Sequence, residues 1–375
     1  GKGLRSSRCD APIALRGNED VGDVIGVLDR TTAAKNMPPR ALITGATGQD
    51  GSYLVELLLA RDYQVHAQSR RTDSTSLPQH GNLHWHTADI CDPVVLHTLM
   101  AEVQPNEIYN LASISRPSES WQIPRETADT NGLLPQQVCE LVLKLCPQCR
   151  IFQATSSEIF GNSTISPQDE ETPCRPQSPY GIAKLYAHNI IGAYRTKYRL
   201  HASSGIMFNH ESPRRPLPYV SQKIAYAAAA VSIGLRNTRE TDERGLPLLK
   251  NGIVTLGNID ICRDFGFAGD YVEAMYAMLQ CDTADDYVIG TGQSHSIRAF
   301  CEAAFRHVGC NWANHVTFDH SLFRTIDSHH TVANCAKIAA RLGWRPKTTF
   351  DELVIMMVDH QIQQLTAMGL NSGVP

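Results

Sequence analysis

No apolar run approaches the roughly 20 residues that a membrane helix needs, so no spanning segment and no membrane partner are expected. The first forty residues are polar, mixed in charge and without the apolar core of a secretory leader. Residues 1–38 therefore read as an N-terminal extension that need not be ordered. Charge of one sign is not in excess, with 34 Lys and Arg against 38 Asp and Glu. Such a balance gives no reason to expect nucleic acid or an anionic surface as partner. Internal repeats and low-complexity tracts are absent as well.

Eleven cysteines are present, but they lack the paired spacing of a zinc site or a small disulfide scaffold. The exception, Cys146-Pro-Gln-Cys149, matches a redox pattern. It falls between a helix and the strand Arg150–Ala154, however, and not at a helix start where a thiolate is stabilised. No metal is expected, and the cysteines read as reduced, which fits a cytoplasmic setting.

What the chain does have is alternation. Short apolar strands begin near Ala41, Gln64, Leu83, Glu107, Arg150 and His201. Between them lie helical stretches from Ser52, over Leu133–Leu145, and from Tyr180 toward Tyr194. This pattern predicts an α/β fold, a Rossmann-like doubly wound parallel sheet over 39–208. Beyond Phe208 the alternation breaks up into a Pro/Arg-rich segment, a helix over Val220–Ile233, a polar loop and a strand at Val254–Gly257. The expectation is a smaller mixed α/β C-terminal substrate domain over 209–375, with some segments returning to the first and the ligand in the cleft between them.

Arg40-Ala-Leu-Ile-Thr-Gly45 reads as a buried strand running into Gly45-Ala-Thr-Gly48-Gln-Asp-Gly51, followed at once by helical periodicity. Strand, glycine turn and helix form the context that dinucleotide binding requires. Gly45 and Gly48 permit close backbone approach to a pyrophosphate, while Gly51 lets the helix pack on the strand. The second strand ends at Arg70-Arg71, where an NAD site would place an acid. Two guanidinium groups suit a 2′-phosphate instead, which favours NADP.

Tyr180 and Lys184 lie four positions apart, on one face of a helix. An ammonium there can favour the phenolate of a group that ordinarily titrates near 10, making a proton acceptor. Such pairs also occur by chance on helix surfaces. Upstream, Gln153-Ala-Thr-Ser-Ser-Glu158 follows a strand, so its polar residues should emerge at the carboxyl end of the sheet. Ser156, or Thr155 before it, can hydrogen-bond a sugar oxygen. Glu158 adds a carboxylate that a plain alcohol oxidation does not need, which suggests proton abstraction from carbon or help to a leaving hydroxyl. It could equally cap a helix or pair with a surface cation.

These runs, with Phe208-Asn-His-Glu-Ser-Pro-Arg-Arg215 and Leu256-Gly-Asn-Ile-Asp260 before Arg263-Asp264, resemble the extended short-chain dehydrogenase/reductases over residues 40 to 355. Within them the chain is most similar to the GDP-mannose 4,6-dehydratases. The resemblance implies a nucleotide-sugar lyase on bound NADP, with Ser156, Glu158, Tyr180 and Lys184 catalytic. Sister reactions (epimerase, reductase, decarboxylase) and a non-catalytic binding protein are the alternatives. It implies cofactor contacts from Gly45, Thr47, Gly48, Gln49, Asp50, Gly51, Arg70, Arg71, Asp89, Ile90, Leu111, Ala112, Ser113, Tyr180, Lys184, His210 and Arg215. Substrate contacts are implied for Ser115, Ser156, Asn209, Lys223, Arg263 and Arg324, and Arg215 is a further candidate for the nucleotide diphosphate. Departures from the family's pattern are a short loop after Arg71, Arg116-Pro117 beside the sugar position, Phe267 in place of a His, and altered residues around Arg324. The short loop favours a homodimer over a homotetramer.

Overall fold

Seven parallel strands organise the molecule: β1 (Arg40–Thr44), β2 (Gln64–Ser69), β3 (Leu83–Thr87), β4 (Glu107–Asn110), β5 (Arg150–Ser156), β6 (Ala202–Met207) and β7 (Tyr287–Ile289). Their order is β7-β6-β5-β4-β1-β2-β3, with every neighbouring pair parallel. The structure, a computed structural model, describes residues 37–71, 77–242, 244–322 and 331–369. The expected extension up to residue 36, the loop over 72–76 and Arg324 lie outside the described residues.

Helices α1 (Gln49–Leu59), α2 (Pro93–Val103), α3 (Leu134–Leu145) and α4 (Pro179–Tyr198) follow strands, as parallel connections require. α1 and a later helix cover one face of the sheet, where Leu54, Val55 and Leu58 join Met275 and Met278 in one apolar cluster. α2, α3 and α4 cover the other face, through Leu96, Val138, Val142 and Ile191. Each large side chain buried this fully contributes about 1.5–3 kcal/mol. The sheet thus gains a core on both sides, which explains why its strands are apolar runs and not alternating ones.

The longer of the remaining helices are α5 (Val220–Ser232), α6 (Ala268–Gln280), α7 (Ile297–His307) and α8 (Phe350–Ala367). α6 is the second helix on the α1 face. α5 packs among α7 and α8, and its Ala225 and Ala227–Ala230 are fully buried. A helix buried all round wants small residues where neighbours approach. Three two-stranded sheets complete this part: 210–211 with 266–267, 262–264 with 294–296, and 254–256 with 316–318. The predicted Rossmann-like sheet and mixed C-terminal part are therefore present, and β7 is a segment returning to the main sheet.

Two boundaries differ from the sequence reading. α1 starts at Gln49, not Ser52, because extended Gly48 takes the N-cap position. α3 is entered through a π turn over Asp129–Leu133 that follows a short helical turn, Pro124–Ala128.

The sheet order reverses between β1 and β4, the place where open α/β sheets bind ligands. Gly51 fixes the geometry there: a Cβ on it would sit 2.5 Å from Gly45 O and 2.6 Å from Ala46 Cα. Those contacts are backbone and cannot move aside. Gly51→Ala should therefore destabilise the protein by about 1–3 kcal/mol and weaken dinucleotide binding, read as a lowered thermal midpoint and a raised dissociation constant. Unchanged values for both would refute the packing role.

Candidate active site

The glycine turn forms a cradle with little room for side chains. Gly45 has φ +67°, and a Cβ on it would meet Ala112 N and Cα at 3.0 Å. Thr44 Oγ1 ties the two strand ends together, donating to Asn110 Oδ1 at 2.7 Å and accepting from Leu111 N and Ala112 N at 3.0 Å. No side chain caps α1, so its first-turn N–H groups remain available to an anion. At the next strand end, Thr47 Oγ1 lies 2.9 Å from Ser69 Oγ, which also accepts from Arg71 N. Arg70 and Arg71 follow, both exposed. This cradle fits a dinucleotide pyrophosphate, with a cationic group at the position that follows β2.

Tyr180, Ser156, Glu158 and Lys184 meet at the carboxyl end of β5. Ser178 caps α4 by accepting from Gly181 N, which sets Tyr180 in the first turn. Lys184 Nζ donates to Ala154 O at 3.0 Å, pinning α4 to β5, and lies 5.8 Å from the Tyr180 ring centre. The Tyr180 phenol is within hydrogen-bonding reach of Ser156. Ser156 Oγ also accepts from Glu158 N at 3.2 Å, so the carboxylate-bearing residue is anchored through the same hydroxyl.

Burial works against the expected phenolate. Burial raises the Tyr180 pKa well above its usual value, against the opposing hydrogen bond from Ser156, and Glu158 adds to the rise. Burial also pulls Lys184 down to about 8. Both groups are almost fully enclosed, 9% and 2% exposed, so desolvation is the largest cause of each shift. The alternative of Thr155 as the inward hydroxyl is also corrected. Its Oγ1 bonds Ser204 Oγ at 3.0 Å and Gly205 O at 2.9 Å, inside the sheet.

A cavity of about 790 Å³ opens beside these groups. Asp50, Leu111, Ser113 and Ser115 line it from the cofactor side, and Asn209, His210, Arg215, Lys223 and Arg263 from the C-terminal part. Arg215 pairs with the buried Glu211 (Nε–Oε2 3.1 Å) and stacks 3.7 Å over the Tyr219 ring. Tyr219 Oη is 2.7 Å from Ser115 Oγ. His210 acts through Asp50: its Nε2 is 2.9 Å from Asp50 Oδ2, and its Nδ1 bonds Phe208 O. Burial works against charge on both, but their mutual attraction prevails, raising the His210 pKa and lowering that of Asp50.

Several expected cofactor residues also hold the frame together. The Gln49 amide is spent on His210 O and Ser212 Oγ, and Ile90 sits in the apolar core. Asp89 is exposed after β3, accepting from Cys91 N. Gly45, Thr47, Gly48, Gly51, Arg70, Arg71 and Ala112 follow the ends of β1, β2 and β4, outside the cavity lining. Sequence reasoning missed Asn131, whose amide holds Ser113 and Ile114 in place, and Ser120, whose Oγ accepts from Tyr180 N at 3.2 Å. Neither carries a local signal.

Comparison with known proteins agrees with this geometry. The model of the GDP-mannose 4,6 dehydratase family matches residues 42–357. GDP-mannose 4,6 dehydratase 1 of Arabidopsis thaliana is 39% identical over 339 residues, 86% of this chain and 90% of that protein. Among solved structures, Thermus thermophilus UDP-glucose 4-epimerase in complex with NAD has a TM-score of 0.73 at 25% identity, over 86% of this chain and 98% of that one. A Pseudomonas aeruginosa protein, RMD, complexed with NADPH, has a TM-score of 0.71 at 19% identity, over 87% and 99%. A nicotinamide dinucleotide is thus the cofactor class that accompanies this fold and that the glycine cradle fits. With a family match spanning most of its length, the chain belongs to the GDP-mannose 4,6-dehydratase family of extended short-chain dehydrogenase/reductases.

Proposed function

We propose that the protein is a nucleotide-sugar 4,6-dehydratase that uses NADP and acts on a GDP-hexose, GDP-mannose by preference. The observation that carries this reading is the placement of Glu158 on the 3₁₀ turn directly after β5, tied to the same Ser156 that reaches Tyr180. An alcohol oxidation alone has no use for that carboxylate. When bound, the oxidised dinucleotide supplies a positively charged ring and a reversible hydride acceptor.

The chain's own groups supply the rest. Ser156 and Tyr180 bind the sugar 4-hydroxyl, and Tyr180 takes its proton. Lys184, with its pKa held to about 8 by burial, still carries its proton at neutral pH and opposes the rise that burial imposes on the phenol. The 4-ketone acidifies the C5 hydrogen. Glu158 removes that proton and delivers one to the C6 hydroxyl, which leaves as water; return of the C4 hydride to C6 of the resulting enone, with a proton taken up at C5, would give the 4-keto-6-deoxy sugar. Asn209, Arg215, Lys223 and Arg263 bind the nucleotide diphosphate, cations against anionic oxygens. The cleft lies between a cofactor part, 39–208, and a mainly substrate-binding part, 209–375. Leu133, Ile182 and Tyr186, 42%, 58% and 40% exposed on adjoining helical segments, support pairing into a homodimer.

The assay is GDP-mannose with catalytic NADP+, read by product mass: loss of one water without net cofactor consumption supports the reading, and an unchanged mass contradicts it. Tyr180→Phe should lower turnover by about 10²–10⁴-fold, the usual worth of a positioned proton acceptor, while bound cofactor is retained. Wild-type rates in that variant would remove Tyr180 from the chemistry. Glu158→Gln should still oxidise C4 but not eliminate, so reduced nicotinamide accumulates and shows in its near-ultraviolet absorbance; normal dehydration would exclude Glu158. Arg70→Glu with Arg71→Ser should weaken NADP binding by about 10–100-fold, as expected for lost bonds to a charged group, and spare NAD. Unaltered preference would mean that these arginines do not read the 2′-phosphate.

A further inference from the structure

One charged pair in the cavity wall has no part in the chemistry above. Arg116 and Glu119 follow β4 and both line the cavity. Arg116 Nε donates to Glu119 Oε2 at 3.1 Å, with the side chains 36% and 38% exposed. Among the described residues, no group bonds either Nη of Arg116 or Oε1 of Glu119. A row of donors and an acceptor is left over, side by side.

The loop that carries the pair is fixed at both ends to the reaction site. Ser115 Oγ is 2.7 Å from Tyr219 Oη, and Ser120 Oγ accepts from Tyr180 N at 3.2 Å. Within the loop, Arg116 O accepts from Glu119 N and Ser120 N, and Ser120 Oγ donates to Pro117 O at 2.6 Å. The pair is therefore held in place before any ligand arrives, so little ordering cost remains at binding.

We propose that Arg116 and Glu119 determine sugar specificity by binding two adjacent hydroxyls of the hexose. An Nη of Arg116 donates to one hydroxyl oxygen, and Glu119 Oε1 accepts the proton of its neighbour. The inference rests on the dehydratase reading, in which Ser156 and Tyr180 already hold the 4-hydroxyl, so the hydroxyls left for the pair are those at C2 and C3. Charge-assisted bonds of this kind are stronger than neutral ones. The pair carries no net charge, and a sugar carboxylate placed here would meet Glu119 as well as Arg116. A neutral hexose fits better than a hexuronate.

The test is calorimetric binding of GDP, GDP-mannose and its 2-deoxy and 3-deoxy analogues to the cofactor-loaded protein, in a Tyr180→Phe background that prevents turnover. The account expects GDP-mannose to bind at least about tenfold more tightly than either analogue, the worth of one charge-assisted bond. Arg116→Met and, separately, Glu119→Gln should each lose the discrimination against one of the two analogues, a different one in each variant, and bind GDP with unchanged affinity, which shows that the fold is intact. Discrimination against the same analogue that survives in both variants, analogues that bind as well as GDP-mannose, or GDP-mannose that binds no better than GDP would each overturn it. Because this readout is binding, a dehydratase reading that fails for lack of product leaves the test of the pair standing.

Discussion

The site depends on one hydrogen bond, from the Lys184 ammonium to the Ala154 carbonyl. It joins the second turn of α4 to the end of β5, and every candidate catalytic group lies within a few residues of the two ends it connects. Tyr180 is one helical turn before Lys184; Ser156 and Glu158 are two and four residues after Ala154. The bond adds to the apolar packing of α4 on the sheet and fixes the phenol relative to the end of β5. The bond also explains why a buried cation is tolerated, because a carbonyl dipole replaces part of the water that Lys184 loses.

Burial then decides the electrostatics. Desolvation raises the Tyr180 pKa and lowers that of Lys184. Several charged groups around the cavity are paired: Asp50 with His210, Arg215 with Glu211, Arg116 with Glu119. The first of these links the helix that opens the dinucleotide cradle to the segment after β6 that borders the cavity. Cofactor and substrate sides therefore share one rigid frame.

Much of this was legible in the sequence, because its signals are local. β1, the glycine turn and α1 follow one another within twenty residues, and Tyr180 and Lys184 share a helix whose cap, Ser178, precedes it directly. The apolar strands could be read because a sheet covered on both faces needs unbroken runs. What stayed hidden depends on contacts between distant segments. β7 is three residues long, too short for any period, and joins the sheet only through β6. Thr155 and Ser156 are indistinguishable in one dimension; the strand's alternation turns one hydroxyl into the sheet and the other toward Tyr180. The Gln49 amide and His210 Nε2 are held by partners about 160 residues away in the chain.

The central claim is that a single site carries one sugar through oxidation, elimination and reduction without releasing it. The most direct measurement follows GDP-mannose bearing deuterium at C4, with the product's labelled position read by mass spectrometry and NMR. The account predicts that the deuterium appears at C6 of the 4-keto-6-deoxy product, undiluted by unlabelled cofactor added in excess. Loss of the label to water or to the added cofactor would contradict it.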